Sequence, residues 1–493
     1  MLRCRPWRSP ASTGPGRCSR IVTDFTSPLF AVLLVPLLFA LWLTNRSPRL
    51  QLVGLLVASY LFYSWTEPVY LLLIVSSSLI DYGAGLAIYR SSRLGVRRAL
   101  LIGSLSANLG LLGFFKYAAF VADNVNQLTG APGLLPRLEL MLPVGISFYT
   151  FQSMSYTIDI YRRTLTPGPF LHFLYYVASF PQLVAGPIVR AGEFLPQLRA
   201  RFTERVDPGG VFYFLFGLFK KLFIANVLAT QVVDPIFADP LAHSSVDLYF
   251  GVVCYALQIF FDFSAYSDIA IGVGKLVGLQ LPVNFLSPYL ATSPREFWRR
   301  WHISLSQWIR DYVFIPLGGS RRGTARTYLN SVATMTLFGL WHGAGWNFVL
   351  WGLLHGAYQV AWRLVPWLGV GSDGATARSI RPGVRLAQRL FFFQCVCLAW
   401  ILFRAQGLDG ARDYLVGLGS NWAVPTVFAS QGSLLGLAAL AFVVHDWVEP
   451  RLPGLAEAWT RVPLLVQALA FHLLFVAYGY LSVEATPFIY FQF

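Results

Sequence analysis

Long apolar blocks separated by short polar connections cover nearly the whole chain. Leu29–Leu43, Leu50–Trp65, Pro68–Tyr89 and Ala99–Val121 follow one another closely, with few charges inside them. Further blocks are Met141–Ile160, Phe170–Ile188, Val211–Thr230, Val246–Phe263, Leu329–Leu340 continuing as Asn347–Val365, Arg389–Phe403, Ser433–Trp447 and Leu464–Ser482. One spanning helix needs roughly 20 apolar residues, so the pattern predicts an all-α, polytopic integral membrane protein with about eleven to thirteen membrane segments. Leu29–Leu43 has the length of a signal-peptide core, but the blocks that follow make it the first of many anchors.

Pro and Gly interrupt several blocks, at Pro143–Gly145, at Pro181, Gly186 and Pro187, and at Gly272–Gly278. Broken segments at membrane depth survive only where protein or a water-filled cavity satisfies the freed backbone. Residues 141–360 are therefore the expected cavity-forming core. Residues 1–24 are rich in Arg, Pro and Ser and read as a disordered N-terminal extension, and 25–493 as a single transmembrane domain. The stretch Trp367–Pro382 is the clearest linker, and no fixed-period repeat is visible.

Composition sharpens this picture. Of 493 residues, 56% are hydrophobic and 12% charged, whereas soluble domains carry about a quarter charged residues. The net charge of +15 does not point to nucleic acid, because the arginines cluster between apolar blocks: Arg90, Arg93, Arg97 and Arg98; Arg190, Arg199, Arg201 and Arg205; Arg321, Arg322 and Arg326; Arg378, Arg381, Arg385 and Arg389. Short Lys/Arg-rich loops mark cytoplasmic connections and suit anionic lipid headgroups, and one such loop could also hold an anionic donor. Cys254, Cys395 and Cys397 sit inside apolar runs, and neither CxxC nor a His/Cys metal spacing occurs. No disulfide framework and no metal site are expected.

Three segments could carry chemistry. Ser293 and Glu296 flank Pro294 as a capping box that opens a helix. Trp298, Trp301, Leu305, Trp308 and Tyr312 then form one stripe beside arginines, the signature of an interfacial amphipathic helix. His302 lies next to that stripe and is either held by a backbone carbonyl or part of a site. In the second segment, Leu340-Trp341-His342-Gly343-Ala344-Gly345, a histidine lies within an apolar run among glycines. An ionisable group at that depth is a functional hypothesis, since imidazole can deprotonate a hydroxyl or attack a thioester; the alternative is a buried histidine bridging two helices. In the third, Asp262 and Asp268 either orient a histidine or cap a broken helix. Asp159 beside Arg162 and Arg163 reads as a membrane-edge ion pair, and His355 could line the same cavity as His342.

These segments, together with Leu142–Gln152, Phe180–Ile188 and the ending Phe488–Phe493, resemble the membrane-bound O-acyltransferase family, in its bacterial alginate O-acetylation branch. The resemblance covers the chain from about Phe25 onward, and only the extension before it departs from the pattern. It implies a ring of tilted and broken helices around a central cavity, with the family histidines at His302 and His342, the latter essential. It further implies acetyl-CoA as donor, with no permanently bound cofactor, and a multi-pass place in the bacterial inner membrane. The implied partners are a periplasmic acetyltransferase, polysaccharide synthesis and export proteins, membrane lipid and a polysaccharide acceptor, alginate mannuronate first, with no nucleic acid. Cellulose or another exopolysaccharide, D-alanyl transfer to teichoic acid, a transporter without chemistry, and an export scaffold are the rivals.

Overall fold

The computed structural model describes residues 28–64, 68–138, 140–184, 186–199, 206–365, 382–425, 427, 432–481 and 488. The N-terminal extension and most of the Trp367–Pro382 linker lie outside them. Every regular element among the described residues is helical. Six helices are long and apolar enough to cross a membrane: Tyr70–Arg90, Leu94–Thr129, Gly209–Ala238, Ser245–Leu276, Pro382–Arg404 and Gly432–Trp459. Pro28–Leu43, Pro48–Ser64 and Ile146–Tyr161 are shorter, at 16, 17 and 16 residues, while Thr324–His342 and Trp346–Leu364 have 19 residues each but are less apolar.

Burial sorts these helices into a centre and a rim. In Ser245–Leu276 the most apolar window is 89% buried, against 17% for Leu94–Thr129. The rim helices turn Leu61, Leu72, Leu79, Ile102 and Leu109 outward, where a lipid environment makes such exposure favourable rather than costly. Leu94–Thr129 has 36 residues and is about 54 Å long at 1.5 Å per residue, well beyond a hydrocarbon core of about 30 Å.

The break expected between Gly272 and Gly278 falls at its far end: the helix passes Gly272 and Gly274 and stops at Leu276, with Gly278 at φ +78° beyond it. A Cβ on Gly272 would collide with the Gly210 carbonyl and the Phe214 N–H, so this glycine lets two backbones touch. Gly217 does the same against Ala265 and Ile269. That closeness brings Lys220 and Lys221, on a π-helical stretch of Gly209–Ala238, onto the carboxylates of the neighbouring helix. Lys220 Nζ lies 2.5 Å from Asp268, 2.7 Å from Glu449 and 3.0 Å from the Ser264 hydroxyl. Lys221 pairs with Asp262. Asp262 and Asp268 thus lie inside a helix rather than at a cap, and both pair with lysines at the centre of the fold.

A second break falls at Gly145. Its φ is +74° and a Cβ would run into the Leu183 carbonyl, so the chain enters Ile146–Tyr161 through a left-handed turn that favours glycine.

Candidate active site

His342 is the last residue of the helix Thr324–His342, and Gly343 leaves it in extended conformation. The glycines around it serve helix packing. A Cβ on Gly339 would clash with the Phe348 carbonyl, one on Gly352 with the Met335 carbonyl, and one on Gly343 with the Phe348 ring. Thr324–His342 and Trp346–Leu364 are consequently pressed backbone to backbone. The His342 ring ends up among Phe338 at 4.8 Å, Trp341 at 4.9 Å, Trp351 at 5.1 Å and Phe403 at 5.1 Å between ring centroids. It is buried. Lys116 and Tyr117, from Leu94–Thr129, donate to the last carbonyls of this helix.

His302 sits between two short helices, Pro294–Trp298 and Ile303–Ile309. The predicted continuous helix is broken there, with His302 itself at φ +41°, a left-handed conformation unusual for a residue with a side chain. Asn284 holds the break: its carbonyl accepts from Ile303 N–H at 2.9 Å, and its side-chain oxygen accepts from the Ser304 N–H at 3.2 Å and hydroxyl at 2.9 Å. The Trp stripe also proves internal. Trp298, Trp301, Leu305 and Trp308 are all buried, Trp308 lying flat on Phe151 with centroids 3.9 Å apart. The stripe is core packing rather than an interfacial face. Half of the capping box forms: Ser293 Oγ accepts from Glu296 N–H, while the Glu296 carboxylate reaches one residue further, to Thr292 N–H at 2.9 Å.

The two histidines share an aromatic layer. Phe148 stacks on His302 at 6.3 Å and meets Trp341, the residue before His342, at 5.8 Å. Phe263 closes on His302 from the other side at 4.6 Å and is itself packed by Phe488 of the C-terminal tail. His355 does not join them on a cavity wall. It is fully buried, one ring beyond His342, with Trp351 between. His445 shows what a purely structural histidine looks like here: Nδ1 faces Asp446 at 2.7 Å, and Nε2 accepts from the Tyr289 N–H at 3.2 Å.

A cavity of about 900 Å³ opens beside this layer, lined by Arg295, Arg299, Arg310 and Arg363 together with Trp298, Ile303, Gln307 and Phe338. Neither catalytic candidate forms its wall directly. Phe338 separates it from His342, and Ile303 follows His302 in the chain. At its edge, burial alone would raise the Asp311 carboxyl, but Arg310 and Arg190 hold it below its ordinary value. Asp159 accepts from the Tyr312 hydroxyl at 2.8 Å, rather than forming the pair with Arg162 and Arg163 that its neighbours in sequence suggest. Such a site offers positive charge for an anionic donor and an imidazole for proton transfer, kept from water by aromatic packing.

Lys116, Asn284, Lys220 and Lys221 are functional or structural residues that no motif in the sequence marks. The lysines carried the same signal as His342, an ionisable group inside an apolar run. Asn284 carried none.

Comparison with known proteins identifies the family. Residues 69–402 match the family model for MBOAT, the membrane-bound O-acyltransferase family. The chain is 39% identical to the "Probable alginate O-acetylase" of Azotobacter vinelandii over 437 residues, 85% of this chain and 83% of that protein. It is 34% identical to the peptidoglycan O-acetyltransferase of Helicobacter pylori over 427 residues, 80% and 79% of the two chains. To the teichoic acid D-alanyltransferase of Streptococcus thermophilus it is 32% identical over 262 residues, 49% of this chain and 62% of that one. With a family model matched over most of its length and O-acetylase relatives alike over about four fifths of it, the chain belongs to the membrane-bound O-acyltransferases, as a multi-pass membrane enzyme.

Proposed function

We propose that the protein moves acetyl groups from cytoplasmic acetyl-CoA toward an extracytoplasmic polysaccharide, alginate mannuronate first, with His342 as the catalytic group and His302 shaping the site. The single observation that carries this is the arginine-lined cavity ending at Phe338, in ring contact with His342. Four guanidinium groups suit the phosphates of a coenzyme A thioester, since each can make charge-assisted hydrogen bonds. In the transfer, His342 takes the proton of the acceptor hydroxyl as the oxygen attacks the thioester carbonyl. The C–S bond then breaks, and the departing thiolate takes up the proton. General-base help of this kind is worth about a hundred- to ten-thousand-fold.

Similarity to alginate and peptidoglycan O-acetylases over about four fifths of their lengths favours acetyl transfer to a glycan over D-alanyl transfer, where the similarity covers less. The inner membrane and a periplasmic acetyltransferase with polysaccharide synthesis and export proteins complete the proposal; cellulose or another exopolysaccharide is the alternative acceptor.

The test uses purified protein, radiolabelled acetyl-CoA and alginate, with His342→Ala in parallel. Thioester cleavage that disappears in His342→Ala, in protein that still accumulates in the membrane, supports the proposal. Normal transfer by His342→Ala removes the histidine from the chemistry. Absence of any cleavage by the native protein, with or without partner proteins, favours a transporter or scaffold.

A further inference from the structure

Lys116 lies in the apolar run Phe114-Phe115-Lys116-Tyr117 on the rim helix Leu94–Thr129. A cation there is costly unless it has partners. Its Nζ donates to the Trp341 carbonyl at 2.6 Å and to the His342 carbonyl at 2.9 Å, and the adjacent Tyr117 hydroxyl donates to the Leu340 carbonyl at 2.8 Å. Three successive carbonyls at the end of one helix are therefore held by two neighbouring side chains of another. The need is physical: the last four carbonyls of a helix have no partner within it, and their dipoles make that end negative. Gly343 turns away in extended conformation at φ −158° and ψ 150°, and in a membrane interior water is not at hand to serve instead. Among the described residues no carboxylate pairs with Lys116, so these carbonyls are its polar partners. Its charge also lies 5.7 Å from the Trp341 ring centroid.

We infer that Lys116 is a positioning residue for the acyl transfer, clamping the end of the Thr324–His342 helix so that the His342 imidazole is held in register with its aromatic cage. The inference rests on the proposal that His342 is the catalytic group. Loosening the last turn displaces the ring without touching the arginine cavity, and a misplacement of about 1 Å can cost on the order of a hundredfold in rate. The signature is a fall in kcat at constant KM for the donor.

The test measures transfer by purified Lys116→Met, Lys116→Arg, Tyr117→Phe and His342→Ala proteins over a range of acetyl-CoA concentrations. Expected are a fall in kcat of about thirty- to a hundredfold for Lys116→Met with the donor KM within about twofold, substantial recovery in Lys116→Arg, and a small loss in Tyr117→Phe. Unchanged kcat in Lys116→Met, beside an inactive His342→Ala, overturns the positioning role alone. A raised donor KM at unchanged kcat also overturns it, by placing Lys116 on the donor. Should Lys116→Met fail to accumulate, Lys116→Arg and Lys116→Gln, which keep a donor, take its place. An order in which arginine is no better than glutamine then counts against the charged clamp. Full activity in His342→Ala defeats the functional proposal and this inference together, and so is distinct from failure of the clamp.

Discussion

Phe338 and His342 stand one turn apart on the same helix with ring centroids 4.8 Å apart, and of the two only Phe338 meets the arginine-lined cavity. The phenyl ring is thus the partition between a space large enough for a donor and the imidazole that would act on it.

Reducing that partition should change which acyl groups reach the histidine. Phe338→Ala is expected to raise the rate with butyryl-CoA relative to acetyl-CoA, at a cost of about 3 kcal/mol in stability from the deleted core ring. Rates with the two thioesters, alongside thermal unfolding in detergent, check this; an unchanged ratio would show that acyl length is decided elsewhere.

The arginines should act on binding rather than on chemistry. Arg299 and Arg363 are exposed side chains on the cavity wall. Loss of each is expected to raise the KM for acetyl-CoA about five- to tenfold, near 1 kcal/mol per charge, with kcat little changed. The double substitution Arg299→Ala with Arg363→Ala should compound the effect, and raised salt should mimic it in the native protein. A pure loss of kcat would place these guanidinium groups outside the donor site.

The buried ion network should be intolerant of losing its centre. Lys220 is fully buried and faces both Asp268 and Glu449. Lys220→Met leaves two carboxylates close together without their cation, and breaking a buried pair in this way costs about 3–5 kcal/mol. Asp268→Asn should be milder, because Lys220 keeps Glu449 and two like charges are separated. Thermal stability of the two variants in detergent decides the order; equal or reversed stabilities would contradict the geometry.

Much of the fold was readable from apolar blocks alone, since lipid leaves helices as the default solution for an apolar chain. Depth within the assembly was less readable. The stripe Trp298–Trp308 has the composition of a membrane-surface helix, yet it is core, because aromatic side chains serve equally at an interface and in a crowded interior. His342 was legible because a titratable group in an apolar run is costly and rare. The same rule singles out Lys116, Lys220 and Lys221, whose importance shows only once their partners, far away in the chain, are seen. Glycines near His342 leave room for either a substrate or a backbone, and it is Trp346–Leu364, by its backbone and the Phe348 ring, that fills the space. Asn284 had no signal at all, since one polar residue in a loop says nothing until the left-handed turn at His302 needs its oxygen.

The pairing of Lys220 and Lys221 with Asp268 and Asp262 has a consequence for biogenesis. Each unpaired charge near the middle of an inserting helix costs about 2.5–3.5 kcal/mol, so neither Gly209–Ala238 nor Ser245–Leu276 can be released cheaply into lipid by itself. With only a short connection between them, the two helices cost less to place in the bilayer together, as a hairpin with lysines already paired to carboxylates, than one at a time.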